Sequence, residues 1–187
     1  PQNPKTPLMR EIGLKMDDDV YAVVLDTGSA MTKAGYAGDD APRVFTPTII
    51  GRPKNPSILV GFDQHEIFAG EDVFERLNLL QSSRPIQRGA VKDWDDLEKF
   101  WHHIFYKMMK LQPEEHPILA MEPVLSSLKD REKMTQIMFE TFNVRSLFIS
   151  LQSVLALYAN GRTTGCVLES GDGLSNSASI YEGYVVP

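Results

Sequence analysis

Cysteine is almost absent: the 187 residues hold one, Cys166. That excludes a disulfide framework and suits a reducing compartment. Cys166 lies in an apolar run and is expected to be buried in a strand. Histidine is scarce too, represented by His65, His102, His103 and His116. Adjacent histidines on a helix point to different sides, so 102 and 103 are excluded as joint ligands of one metal, and no Ser-His-Asp set can be assembled. No run reaches the roughly 18 apolar residues of a membrane-spanning helix. The first residues show no hydrophobic signal core. Basic residues are in deficit, with 19 Lys and Arg against 25 Asp and Glu and a net charge of −6. A general nucleic-acid binder carries a basic face, so this balance argues against one. The remaining composition, 42% hydrophobic and 24% charged, is that of a globular protein of one or two domains with a sizeable core.

What the chain does contain is one layout used twice. Val23-Val24-Leu25-Asp26-Thr27-Gly28-Ser29 and Val167-Leu168-Glu169-Ser170-Gly171-Asp172-Gly173 are apolar runs that end in an acid, a small hydroxyl residue and glycine. Each leads into further strand-compatible sequence, Lys33 to Tyr36 and Ala178 to Tyr184. A strand entering a glycine-bearing turn exposes backbone N–H groups at its tip, and such groups attract phosphate oxygens. An acid at the strand end can hold a hydrated Mg2+. One such run alone is an ordinary β-turn. Two of them suggest a clamp that grips a polyphosphate from both sides, and both readings stand at this point.

Along the chain, residues 1–16 read as an irregular extension, followed by a solvated acidic cluster, Asp17-Asp18-Asp19. Residues 20–36 read as two strands about the Asp26 turn. Residues 41–64 are rich in turn formers, with an apolar tip Ile58-Leu59-Val60-Gly61-Phe62 that suits either a contact surface or a plain hairpin. Spacing of three and four predicts three helices. Leu97, Phe100, Trp101, Ile104, Phe105 and Met108 line the first. Met134, Ile137, Met138 and Phe142 line the second, with Ser127 and Asp130 as a capping box. Leu151, Val154, Leu155 and Tyr158 line the third, stopped by Asn160-Gly161. Ile118-Leu119-Ala120-Met121 suits a buried strand. Strands alternating with helices indicate an α/β domain.

Several stretches closely resemble the actin family. They include Asp39-Asp40-Ala41-Pro42-Arg43 with Gly51-Arg52-Pro53, Trp94-Asp95-Asp96 with Trp101-His102-His103, and Pro113-Glu114-Glu115-His116-Pro117. The run from Arg131 to Asn143 is similar nearly letter for letter, and Gly161-Arg162-Thr163-Thr164-Gly165 and Tyr181-Glu182-Gly183-Tyr184 extend the match over about residues 17–187. The resemblance implies the α/β, ribonuclease H-like fold of actin-like ATPases, here its first half plus the first strands of the second half. Residues 17–47 and 85–159 would form the large first lobe, 48–84 a small outer lobe, and 160–187 the start of the second half.

The same resemblance implies roles for individual residues. Asp26, with Glu169 near it, would hold the water shell of a divalent metal. Gly28, Ser29, Ala30 and Met31 would form the first phosphate turn, and Gly171, Asp172 and Gly173 the second. Lys33 would contact the phosphates, and Gln152 would orient an attacking water. The implied cofactor is ATP or ADP with Mg2+ or Ca2+. The implied partners are other proteins or further copies of the chain, with no direct nucleic-acid contact and no membrane span. The implied location is the cytoplasmic cytoskeleton, with the nucleus as the other setting. Read on its own, an isolated Gln152 is a solvated helix residue one position off an apolar face.

The chain also departs from the family pattern inside the cleft. Ala30 stands where a second glycine is usual, and is strained there only if the position needs positive φ. Glu169 replaces an aspartate, Asn176 a histidine, and Arg88 a histidine beside the phosphate-release path, while Arg84 adds a second charge nearby. These changes preserve shape more than chemistry, and phosphoryl transfer depends on positioning. The expectation is therefore an actin-related structural protein whose ATP hydrolysis is slow or absent, and the half-cleft formed by these residues, which lacks a purine pocket, is expected to bind nucleotide weakly. The alternative is a conventional filament-forming actin ATPase of which this is a fragment. The resemblance places the purine pocket beyond Pro187, to be supplied by the rest of a longer chain or by a partner.

Overall fold

The computed structural model describes residues 20–54 and 67–186. The N-terminal extension, the Asp17–Asp19 cluster, His65 and the apolar tip at 58–62 lie outside the described residues. The described elements begin with β1 (Val23–Thr27), β2 (Met31–Tyr36), β3 (Val44–Pro47), β4 (Ile50–Pro53), β5 (Phe68–Ala69), α1 (Glu71–Glu75) and β6 (Leu80–Ser83). There follow β7 (Ile86–Gln87), β8 (Ala90–Val91), α2 (Trp94–His102), a π-helical turn His103–Met108 and a 3-10 turn Pro113–Glu115. The last are β9 (Pro117–Glu122), α3 (Leu128–Glu140), β10 (Ser146–Leu151), α4 (Gln152–Ala159), β11 (Gly165–Ser170), β12 (Ser175–Tyr181) and β13 (Tyr184–Val185).

A five-stranded sheet in the order β10-β9-β1-β2-β3 forms the base of the molecule. β1, β9 and β10 are parallel, β2 runs antiparallel to β1, and β3 runs antiparallel to β2. Alternation sets the inward face: Val23 and Leu25 of β1 and Ile118 and Ala120 of β9 are buried. Against them pack Leu97, Phe100, Trp101, Ile104 and Phe105 from the α2 segment and Ile137, Met138 and Phe142 from the α3 segment. Phe105 meets Phe142 edge-on at 5.2 Å between ring centroids, a favourable aromatic geometry. Ser127 caps α3 as its spacing with Asp130 predicts, its Oγ accepting from the Asp130 N–H at 3.1 Å and donating to the carboxylate at 2.8 Å. The chain leaves that helix through Asn143 at φ 49°, a left-handed conformation that asparagine tolerates.

Three expectations are corrected. The first helix is α-helical only to His102 and then widens, with the Met109 N–H reaching back to the Ile104 carbonyl. A π turn adds a residue to the repeat, so Met108 turns outward and Met109 packs on the core instead. In α4 the buried apolar pair is Val154 and Leu157, and the spacing-based stripe missed Leu157. Cys166 is exposed. It belongs to a separate sheet, β11-β12-β13, where alternation puts Cys166 and Leu168 on the outer face and Val167 against α4. Cys166 is therefore not the buried strand residue its apolar run suggests, because one face of this sheet is open among the described residues.

A small sheet, β5-β4-β6, carries its own cluster of Ile49, Phe68, Val73 and Leu80. It is tied to α2 through Asp96, which is 1% exposed. Arg52 of β4 donates to both Asp96 carboxylate oxygens, and Ser83 of β6 donates to Oδ2 at 2.6 Å. Burial pushes the Asp96 carboxyl up, but the hydrogen bonds from Arg52 and Ser83 and the Arg52 charge more than offset it, leaving the group below its ordinary range. A carboxylate held low adds stability that is present above its unfolded pKa, about 3.9, and is lost as pH falls through the lower folded value. Asp96→Ala is expected to lower stability by about 1–3 kcal/mol at neutral pH. The deficit should shrink below about pH 4 as the wild-type carboxylate protonates. Urea unfolding of both proteins at pH 7 and pH 3 checks this, and equal midpoints at pH 7 would contradict it.

Candidate functional site

The repeated layout forms two turns of the same build. In the first, between β1 and β2, the Gly28 N–H donates to the Met31 carbonyl at 3.1 Å. In the second, between β11 and β12, the Gly171 N–H donates to the Leu174 carbonyl at 2.9 Å. The first turn is anchored from below: Trp101 Nε1–H donates to Thr27 Oγ1 at 3.1 Å, and the Thr48 N–H donates to the Ala30 carbonyl at 2.8 Å.

The tips of the turns abut. A Cβ on Gly173 would lie 2.5 Å from Ser29 Oγ and 2.9 Å from Arg88 N and Cα. A Cβ on Gly28 would lie 2.9 Å from the Met31 carbonyl oxygen. Neither glycine has positive φ, so each is there for close approach rather than for an unusual backbone angle. Ala30 has no positive φ either, and its departure from the family pattern carries no backbone strain.

Between and beneath the turns is a cleft of about 600 Å3. Asp26, Lys33, Gln152, Glu169, Asp172 and Asn176 all line it, as do both turns. Gln152 opens α4, where no side chain caps the helix, and its Nε2 donates to Asp26 Oδ1 at 2.7 Å. Lys33 Nζ stands 3.8 Å from Asp26 Oδ2. The next residue, Ser153, donates through Oγ to Glu169 Oε2 at 2.7 Å. Adjacent residues at one helix start therefore hold one acid from each half of the repeated layout. Ser29 Oγ accepts the Gly89 N–H at 3.1 Å. All the residues expected at the site are thus brought to one cleft.

Sequence reasoning missed Glu122. It is 1% exposed, lines the cleft at the end of β9, and is paired in bidentate fashion with Arg131. The signal was available, because Ile118–Met121 is a third apolar run ending in an acid. It also missed the Arg84–Asp172 ion pair, at 3.3 Å between Nη1 and Oδ2.

Among the described residues, no cluster of three or more His, Cys, Asp or Glu is arranged to hold a metal ion. A hydrated Mg2+ needs less, since it is held by one or two carboxylates, water and phosphate oxygens. The donor set fits that mode: Asp26 and Glu169 each have one oxygen engaged by a neutral donor. Asn176, the cross-strand neighbour of Glu169, has a buried Oδ1 without a hydrogen-bond partner.

A β3-β2-β1-β9-β10 sheet that presents one glycine-bearing turn, faced by a second turn from a following antiparallel sheet, is consistent with the N-terminal portion of an actin-like fold. The family model for actin matches residues 17–187. An "Actin-like protein" of Neurospora crassa is 46% identical over 166 residues, which is 88% of this chain and 44% of that relative. The chain belongs to the actin family. It spans less than half the length of that relative.

Two opposite substitutions test the turn geometry. Gly173→Ala is expected to destabilise the protein by about 1–3 kcal/mol, because the backbone at Arg88 must move. Ala30→Gly is expected to cost only about 0.4–1 kcal/mol, through added freedom of the unfolded chain. Thermal unfolding of both variants reads the difference, and a stabilised Ala30→Gly would show that position 30 wants the glycine after all.

Proposed function

We propose that this chain is the N-terminal part of an actin-related structural protein that binds ATP or ADP with a divalent cation between its two turns and hydrolyses ATP slowly or not at all. The observation that carries the reading is the convergence of Asp26, Gln152 and Glu169 below two abutting turns, with Gln152 Nε2 held 2.7 Å from Asp26. The turn amides would bind phosphate oxygens, and Lys33 would offset their charge. A bound Mg2+ or Ca2+ would supply further charge compensation on the phosphates, held through water by Asp26 and Glu169. Gln152 would have to turn from Asp26 to orient a water for attack. Glu169 carries its carboxylate one methylene further out than an aspartate does, and Asn176 supplies an acceptor but no titratable ring. A displacement of about 1 Å at a reacting centre costs about a hundredfold in rate.

Such a protein would act through its surfaces, by assembly with copies of itself or with other proteins in a cytoskeletal or nuclear complex. The intact Asp26, Lys33 and Gln152 favour a second reading, a filament-forming ATPase of the conventional kind. The full-length protein separates the two. Denaturation is expected to release close to one ATP or ADP per chain. Phosphate release is expected to be slow and to rise about ten- to a hundredfold in Glu169→Asp. Absence of nucleotide would sink the proposal, and fast wild-type turnover would favour the second reading.

A further inference from the structure

The β7–β8 hairpin touches both turns. Its two central residues, Arg88 at φ 53° and Gly89 at φ 73°, are both left-handed, the pattern of a two-residue hairpin turn. That conformation is disfavoured for arginine, and an observed outlier of this kind points to a constraint at the position. The constraint is contact. The Gly89 N–H donates to Ser29 Oγ at 3.1 Å, on the first turn. Arg88 N and Cα lie against Gly173, on the second, and Leu174 Cδ2 packs over Gly89. The hairpin is closed at its base by the Lys92 N–H on the Pro85 carbonyl at 2.8 Å. One residue before that base, Arg84 Nη1 reaches Asp172 Oδ2 at 3.3 Å, with side-chain exposures of 48% and 55%.

We propose that the 84–91 hairpin is a clasp across the two turns and that Arg84 is its polar lock. Arg84 is a positioning residue. It holds Asp172, and with it the second turn, against the first. It also neutralises a carboxylate that would otherwise face the negative charge of a bound polyphosphate. The clasp therefore retards both opening of the second turn and escape of the phosphates; the latter consequence rests on the nucleotide reading above. Both groups are substantially exposed, so the lock is screened by salt, over a Debye length of about 10 Å at 0.1 M and 3 Å at 1 M.

The full-length protein is compared with Arg84→Lys, Arg84→Gln and Arg84→Glu in two measurements. Without nucleotide, hydrogen exchange is followed in the peptide covering 171–174. With Mg2+ and a fluorescent ATP analogue, the dissociation rate is followed at low and high salt. At low salt, Arg84→Gln and Arg84→Glu are expected to speed both by about two- to fivefold, the range an exposed ion pair carries, with Glu the larger. Arg84→Lys should stay near wild type, and all four proteins should converge at high salt. Equal exchange rates in all four at low salt would overturn the clasp. If the wild type binds no nucleotide, the functional proposal falls, and the exchange measurement alone decides the clasp.

Discussion

Between Gly173 and Ser29 there is no room for a side-chain carbon, and the rest of the cleft is arranged around that approach. Two turns from different sheets meet at their tips, with the Arg88–Gly89 backbone wedged alongside. Backbone in such contact fixes how far apart the strand-end acids Asp26 and Glu169 can lie. It also fixes how the start of α4 bridges them through Gln152 and Ser153. Enlarging either tip would move these groups together, because each turn is the continuation of the strand that carries its acid.

The partners of the acids divide them by role. Asp96 and Glu122 are each 1% exposed and each is paired with an arginine, Arg52 or Arg131. A buried carboxylate with a bidentate guanidinium has its charge compensated and serves to hold elements together. Asp26 and Glu169 instead take a neutral amide and a neutral hydroxyl as their close partners, with Lys33 more distant from Asp26. Their negative charge is left available to the cleft. The arginine-paired acids thus set the frame, joining the small sheet to α2 and β9 to α3, while Asp26 and Glu169 face the space that a cation and phosphates would share.

Much of this was legible in the residues, for physical reasons that differ from element to element. The two turns were readable as turns because an apolar strand running into glycine is a local signal, while the clamp reading stands beside a plain β-turn until the family resemblance enters. Ser127 was readable as a cap because capping is local in sequence. The core stripe of α2 was readable up to Ile104 and Phe105, but the π turn was not, since a widened repeat shows up only once Met109 has a core to pack on. The exposure of Cys166 was hidden because apolarity does not say how many faces of a strand are covered. The Arg52–Asp96 pair spans 44 positions and the Arg84–Asp172 pair spans 88, so neither leaves a mark in spacing. The roles at Gln152 and Lys33 came from family resemblance rather than from pattern. The structure puts both side chains beside Asp26, which pattern alone could not do.

The central claim is that the two turns make one phosphate site. Amide NMR of the full-length protein titrated with Mg2+ and ATP tests it most directly. The account predicts that the N–H resonances of residues 28–31 and 171–173 shift together and follow a single binding curve. Shifts confined to one turn, or two curves of different midpoint, would contradict it.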